Sequence, residues 1–266
     1  MSLTLLLLAL FIGISLGLIG GGGSILTVPV LVYLADISPV MATAYSLFIV
    51  GSTSLVGAVN YFLKKLVHIK TAIIFSIPSL IAVYTVRRYL IPQIPDSLFT
   101  LNGFVLTKNI FIMLVFALIM FFAAISMIFN KTAETGDGNI KNIEFNYPLI
   151  FAEGLLIGTL TGFVGAGGGF LIIPALVMFA KLPMRLAIGT SLLIIAIKSL
   201  IGFIGDVQNL ASIDWAFLSI FTATASTGTF IGSFLSKKID VYILKKIFGW
   251  FVLIMAIYIL IKELIR

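Results

Sequence analysis

Eight stretches of the chain are apolar over roughly the 20 residues that a helix needs to cross the hydrocarbon layer, with short polar turns between them. They cover residues 3 to 19, 39 to 63, 69 to 91, 110 to 129, 148 to 165, 184 to 205, 213 to 235 and 241 to 261. Lipid offers no partner to a backbone N–H or C=O, so such stretches fold as helices, whose hydrogen bonds close within the segment. Only 10% of the residues are charged, against about a quarter in a soluble domain. The fold class that follows is an all-α polytopic membrane protein. Its first stretch, MSLTLLLLALFIGISLGL, has no basic n-region and no A-x-A-like cleavage site, so it is expected to stay as a membrane helix.

Two of these helices are interrupted in the same way. Residues 17 to 29 read GLIGGGGSILTVP and residues 162 to 174 read GFVGAGGGFLIIP. Glycine costs roughly 1 kcal/mol relative to alanine inside a helix, so runs of three and four need a reason. The apolar pieces after them, 24 to 35 and 170 to 180, are about a dozen residues each. At 1.5 Å per residue they reach roughly 18 Å and cannot cross alone.

The two runs belong to an internal repeat. An offset of 145 aligns residues 13 to 57 with 158 to 202 without a gap, and 17 of those 45 positions are identical, including Gly20 with Gly165, Gly23 with Gly168, Pro29 with Pro174 and Ser46 with Ser191. The one clearly polar stretch lies near the midpoint. The expected organisation is a first transmembrane repeat over residues 1–129, a polar linker over 130–147 and a second repeat over 148–266, each repeat a four-span unit with a glycine-interrupted first helix. Topology rests on charge counting, which is close to balanced. Loops on the side of the termini carry seven basic residues, and the other side carries nine, Arg87 among them. The expectation leans to parallel repeats, with folding back of the broken helices as the arrangement that would invert them.

The doublet GLIGGGGSILTVPVLVYL and GFVGAGGGFLIIPALVMF, each followed by a helix with ATAYSLF or AIGTSLL, resembles the TauE/SafE sulfite exporter family, also called the toluene sulfonate uptake permeases. The C-terminal GTFIGSFLSKKIDVYILKKIFGWFVLIMAIYIL is similar to the end of those proteins. The resemblance implies a bacterial or archaeal secondary transporter in the cytoplasmic membrane, carrying small sulfur-containing or organic anions. One departure is visible: the first half has Tyr84 and Arg88 where the second has Gly228 and Gly232.

The glycine runs are the expected substrate site. Repeat-built transporters bind near the bilayer midplane at broken helices whose N-terminal amides face anionic groups. Gly20, Gly22, Gly23 and Ser24 in one half, with Gly165, Gly167, Gly168 and Gly169 in the other, are the candidates for a hollow between two such ends. Where the short helix starts is open: at Gly23 or Ser24, or after an extended stretch over Ile25 to Thr27, just before Pro29. Lys198 falls near the middle of its span, where a charge is costly and marks function by default; its repeat mate is Thr53. Ser46, Thr190, Ser191 and Thr43 are hydroxyls that can donate to an oxyanion. Asp206 and Glu153 are the candidates for proton coupling.

The same sequence excludes other chemistry. There is no cysteine, and the lone histidine, His68, builds no metal site by itself. No cofactor is expected. G-x-x-x-x-G-K-[ST] and G-x-S-x-G are both missing, which argues against nucleotide-driven transport and a serine hydrolase. The formal charge of +7 is assigned to loops facing anionic lipid headgroups rather than to nucleic acid. The partners expected are a small anion and the bilayer, and an oligomer is compatible with the sequence. A secondary carrier by alternating access is the favoured function; a passive anion channel and a carboxylate carrier are the alternatives.

Overall fold

The computed structural model describes residues 2–101, 104–129, 147–178, 180–208, 210, 212–236 and 241–265. The linker expected over 130–147 lies outside them apart from Tyr147, as does the basic pair Lys237 and Lys238. The first half begins with α1 (Leu3–Ile19), a 3₁₀ turn (Gly22–Leu26) and α2 (Thr27–Tyr33). It continues through α3 (Pro39–Leu63) and α4 (Ile69–Thr85), which runs on through a π-helical turn (Val86–Leu90) into α5 (Ile91–Gln93). A two-stranded antiparallel hairpin, β1 (Ser97–Leu101) and β2 (Phe104–Thr107), leads into α6 (Lys108–Phe129). The second half is α7 (Tyr147–Val164), α8 (Gly169–Met178), α9 (Met184–Val207), α10 (Trp215–Leu235) and α11 (Val241–Ile265).

The halves are interwoven. Gly13 of α1 rests on Ala225 of α10, and Gly17 on Thr229 and Ser233; the facing Gly228 and Gly232 rest on α1 near Gly13 and Ile14. Small residues on both surfaces bring the backbones into contact, the usual substitute in lipid for a hydrophobic driving force. The counterpart is α7 on α4, where Gly154, Gly158 and Gly162 sit against Phe75, Ser79 and Val83 in turn. There the glycines lie on one helix only, and the facing surface of α4 presents Ala82 and Val86 to Gly158 and Gly162, while Tyr84 turns to Gly205 of α9.

Contacts along the helices give their directions. The Asp214 N–H donates to the Tyr45 hydroxyl at 2.6 Å and Asn60 donates to Ser233 at 2.5 Å, so α3 and α10 run the same way. α1 runs with them. His68 N–H donates to Thr190 at the start of α9, and Arg87 meets Asp206 at its end, so α4 runs with α9, and α7 with α4. Between these sets α3 and α9 are antiparallel: Gly51 faces Leu200, Gly57 faces Leu192 and Gly189 faces Tyr61. The start of α1 therefore shares a face with the start of α3, here termed the first face, and α2 must bring the chain back to it. Tyr33 at the end of α2 is held there, its hydroxyl donating to Glu263 near the end of α11 at 2.7 Å.

Two expectations are corrected here. Six helices among the described residues, not eight, are long and apolar enough to cross. α1 with α2 is a hairpin that enters and leaves by one face, and the directions of α7 and α9 make α7 with α8 its equivalent from the other. Matched helices α3 and α9 are opposed rather than parallel, because a hairpin and three crossings leave the chain on the opposite face. Outward apolar side chains such as Phe122, Phe230 and Ile254 are exposed and face lipid.

Candidate functional site

The two glycine breaks meet at mid-depth. Gly20 and Gly165, at matching repeat positions, end α1 and α7 with φ of 71° and 69°, a left-handed conformation that glycine adopts without penalty. Their N–H groups close the preceding turns onto Leu16 and Thr161 at 2.8 and 2.9 Å. A methyl built on Gly21 would stand 2.7 Å from the Cα of Gly169 and 2.6 Å from Ile195, the midpoint of α9. The backbones of the two hairpins thus touch.

Beyond the crossing the halves diverge. The first continues as the 3₁₀ turn and enters α2 two residues before Pro29; no extended stretch precedes it. The second passes through Gly167 and Gly168, with φ of 66° and 72°, and starts α8 at Gly169 with Pro174 inside it. Each half therefore realises a different version of the helix start. Gly23 packs back on Ile12, Ser15 and Leu16 of α1 rather than on the other glycine loop.

Lys198 is 1% exposed. Its ammonium donates to Thr161 Oγ1 at 2.9 Å and lies 3.0 Å from the point where a Gly168 Cβ would sit. An ion pair lies elsewhere, between Arg87 and Asp206, and among the described residues Lys198 has one neutral partner for three donors. Around it, among the described residues, the N–H groups of Gly167, Gly169 and Phe170 reach no backbone acceptor. Ser199 Oγ, facing Gly167, is buried without a partner. The ammonium and the three amides are donors, and the Ser199 hydroxyl can donate as well. An anion is the chemical complement of such a set.

The other candidates separate. Ser24 Oγ donates to the Gly21 carbonyl at 2.6 Å, and Ser191 Oγ to the Gly20 and Ile188 carbonyls at 2.8 Å each. Both pin the first loop rather than face Lys198. Thr190 accepts from His68 N–H at 2.9 Å, while Ser46 Oγ is buried without a partner. Gly22 lies in the first turn of the 3₁₀ segment. Glu153 is eight residues before Thr161 on α7, about 12 Å along the axis, with Oε1 buried and unpartnered. His68 caps α4, its Nδ1 accepting from Thr71 N–H at 3.3 Å; partial burial and the neighbouring Lys70 both lower its pKa.

Arg87 is the residue that charge counting misplaced. Grouped with Arg88 as a loop cation, it is in fact 1% exposed, turned inward by the π-helical segment. Nη1 donates to Thr43 Oγ1 at 2.9 Å and to Asp206 Oδ2 at 3.2 Å. The available cue was its position inside the apolar run 69 to 91, where an arginine is as unexpected as Lys198 in its own span.

The expected hollow beside the glycines is not open. The described loop glycines are buried, and two cavities lie at the first face. One, of about 650 Å³, is lined by Tyr33, Asp36, Ser38, Pro39, Asn109 and Glu263 among others. The second, of about 350 Å³, is lined by Met41, Tyr45, Asp214 and Phe217. Glycine runs that let two backbones touch leave no gap between them.

Broken helix hairpins crossing at mid-depth beside a buried cation, in a bundle of membrane-crossing helices, define a membrane transporter rather than an enzyme. The chain belongs to the sulfite exporter TauE/SafE family, whose profile matches residues 5–259. It is 28% identical over 252 residues to a probable membrane transporter protein of Xylella fastidiosa (strain 9a5c), covering 94% of this chain and 91% of that one. It is 27% identical over 254 residues, 89% of each chain, to the probable membrane transporter protein YunE of Bacillus subtilis. A probable membrane transporter protein of Methanocaldococcus jannaschii, MJ0441, is 33% identical over 129 residues, 45% of this chain and 48% of that one. No solved structure matches the chain.

Proposed function

We propose that this protein is a secondary carrier of small organosulfur or sulfite-like anions, working by alternating access in the cytoplasmic membrane of a bacterium or archaeon. The single observation that carries this is Lys198, a fully buried lysine with no carboxylate partner among the described residues and with free amides of the Gly167–Phe170 turn beside it. A buried cation without a counter-ion is strongly destabilising, and a bound anion removes that penalty. The second cationic centre is neutralised by its own aspartate, so the net charge available is +1. A monoanion matches it; a dianion would leave an uncompensated charge in lipid.

Opposed α3 and α9 support a pair of inverted halves, and two inverted halves that exchange conformations expose one central site to each face in turn. The sealed glycine crossing fits an occluded state of that cycle and disfavours an open channel. Proton coupling fits the energetics, since an electroneutral step avoids about 2.3 kcal/mol per charge per 100 mV. Glu153 is the better coupling candidate, because Asp206 is already engaged by Arg87.

Lys198→Met is the test. In proteoliposomes the unaltered protein should take up labelled anion saturably, with acceleration by unlabelled anion on the far side. The variant should lose uptake while keeping its gel-filtration profile. Unchanged uptake by Lys198→Met would remove the lysine from the site, and unsaturable flux in the unaltered protein would make it a pore. A panel of sulfite, thiosulfate, taurine, sulfoacetate and simple carboxylates sets the substrate class; preference for carboxylates would discard the sulfur assignment and keep the mechanism.

A further inference from the structure

Arg87 is more than a clamp between helices. All of its clamping runs through one nitrogen: Nη1 serves both Thr43 and Asp206. Nε and Nη2 are buried and have no partner. These two nitrogens form the edge of the guanidinium that matches two oxygens of one oxyanion, the arrangement that distinguishes arginine from lysine. Nη2 is directed at Gly165, where a Cβ would come within 2.5 Å of it. The same loop reaches Lys198 three residues later, through Gly168.

The position is equally specific. Asp206 lies eight residues beyond Lys198 on α9, about 12 Å along the helix towards the first face. Thr43 is one turn inside Pro39, which lines the larger first-face cavity. Arg87 thus stands between the cavity and the central lysine.

We infer that the Nε–Nη2 edge of Arg87 is a second anion station, which receives a small oxyanion between the first-face cavity and Lys198. This rests on the anion-carrier function proposed above. Because Asp206 already offsets its charge and would repel an arriving anion, the Arg87 station is the weaker of the two.

The experiment is thermal unfolding of purified protein in detergent, titrated with sodium methanesulfonate, or with sodium sulfite at mildly acidic pH where the hydrogensulfite monoanion dominates, against sodium chloride at equal ionic strength, since a bound ligand raises the midpoint. Four proteins are compared: unaltered, Lys198→Met, Arg87→Lys, and the two changes combined. Arg87→Lys keeps a cation for Asp206 and removes the two-pronged edge. If it does not fold, Arg87→Gln with Asp206→Asn replaces it as a neutral pair. Lys198→Met should still be stabilised by anion, with half-saturation at least tenfold higher, and the combined variant should give no anion-specific shift. Arg87→Lys alone should keep the tighter phase within about threefold. A flat Lys198→Met titration, or a combined variant that matches Lys198→Met, overturns the second station while leaving the central one intact. A Lys198→Met curve identical to that of the unaltered protein instead overturns the lysine site, and the two results, no shift against an unchanged shift, cannot be confused.

Discussion

Gly168→Ala separates a glycine that serves the site from one that serves the fold. Its φ of 72° is in the left-handed region, which costs a residue with a Cβ roughly 1–2 kcal/mol. The new methyl would collide with the Thr161 side chain and stand 3.0 Å from the Lys198 ammonium, and overpacking of that kind costs roughly 1–3 kcal/mol. Together these give roughly 2–5 kcal/mol. For a chain of this size each kcal/mol lowers the unfolding midpoint by about 2–4 °C, so a fall of about 4–20 °C is expected. Gly23, the repeat mate, has no left-handed φ and meets Ser15, Leu16 and Ile12. Gly23→Ala therefore carries only the steric part, roughly 1–3 kcal/mol. The deciding assay is anion affinity, measured by titration calorimetry on both variants in detergent. Gly168→Ala displaces the hydroxyl that holds Lys198 and fills the approach to it, so affinity should drop at least tenfold. Gly23→Ala should leave affinity within about twofold. Equal losses of affinity in the two, or none in Gly168→Ala, would refute the assignment of the site to the second loop alone.

Two further substitutions test the polar groups. Thr161→Val removes the described acceptor of the Lys198 ammonium, a loss of about 1.5–3 kcal/mol for a bond to a charged group; the unfolding midpoint should fall without anion and recover at saturating anion, and a deficit that persists with anion present would show that the ligand does not replace the hydroxyl. Asp206→Asn leaves Arg87 buried with neutral partners and should cost about 3–5 kcal/mol, whereas Arg87→Gln with Asp206→Asn should cost clearly less than the two single changes added. Additive unfolding losses in that double-mutant cycle would mean the pair at 3.2 Å is not coupled.

Much of the helical layout was legible because lipid leaves the backbone few options. The six crossing helices coincide with six of the apolar runs, and the repeat offset placed α3 and α9 in register, both starting where it says, at Pro39 and Met184. Even the unusual backbone repeats: Asp36 and Lys181, 145 apart, both have positive φ. What hydropathy could not distinguish was a helix that crosses from a hairpin that returns. Residues 3 to 19 and 148 to 165 are as apolar as any span, and only the opposed packing of α3 against α9 shows the turn back. The glycine loops were located correctly and their surroundings were not, since a sequence records where a backbone can bend but not which surface it then meets.

That same limit explains why one cation was found and the other missed. Lys198 stands alone in its span and was conspicuous; Arg87 sits beside Arg88 near a span end, where a basic pair is the ordinary mark of a membrane boundary. The difference between them was made by a π-helical turn, an insertion into the helix that re-aims one side chain and leaves its neighbour half-exposed. The consequence is chemical asymmetry on a scaffold with matched parts. Gly165 is flanked by Thr43 and by Arg87, which is paired with Asp206, while its mate Gly20 is flanked by Ile188 and accepts from the Ser191 hydroxyl. Equivalent positions at the two ends of the crossing are therefore charged towards the first face and uncharged towards the second. On the alternating-access proposal the two barriers are therefore not alike: one is parted by exchanging hydrogen bonds and an ion pair, the other by breaking the Ser191–Gly20 hydrogen bond and separating Ile188 from the loop.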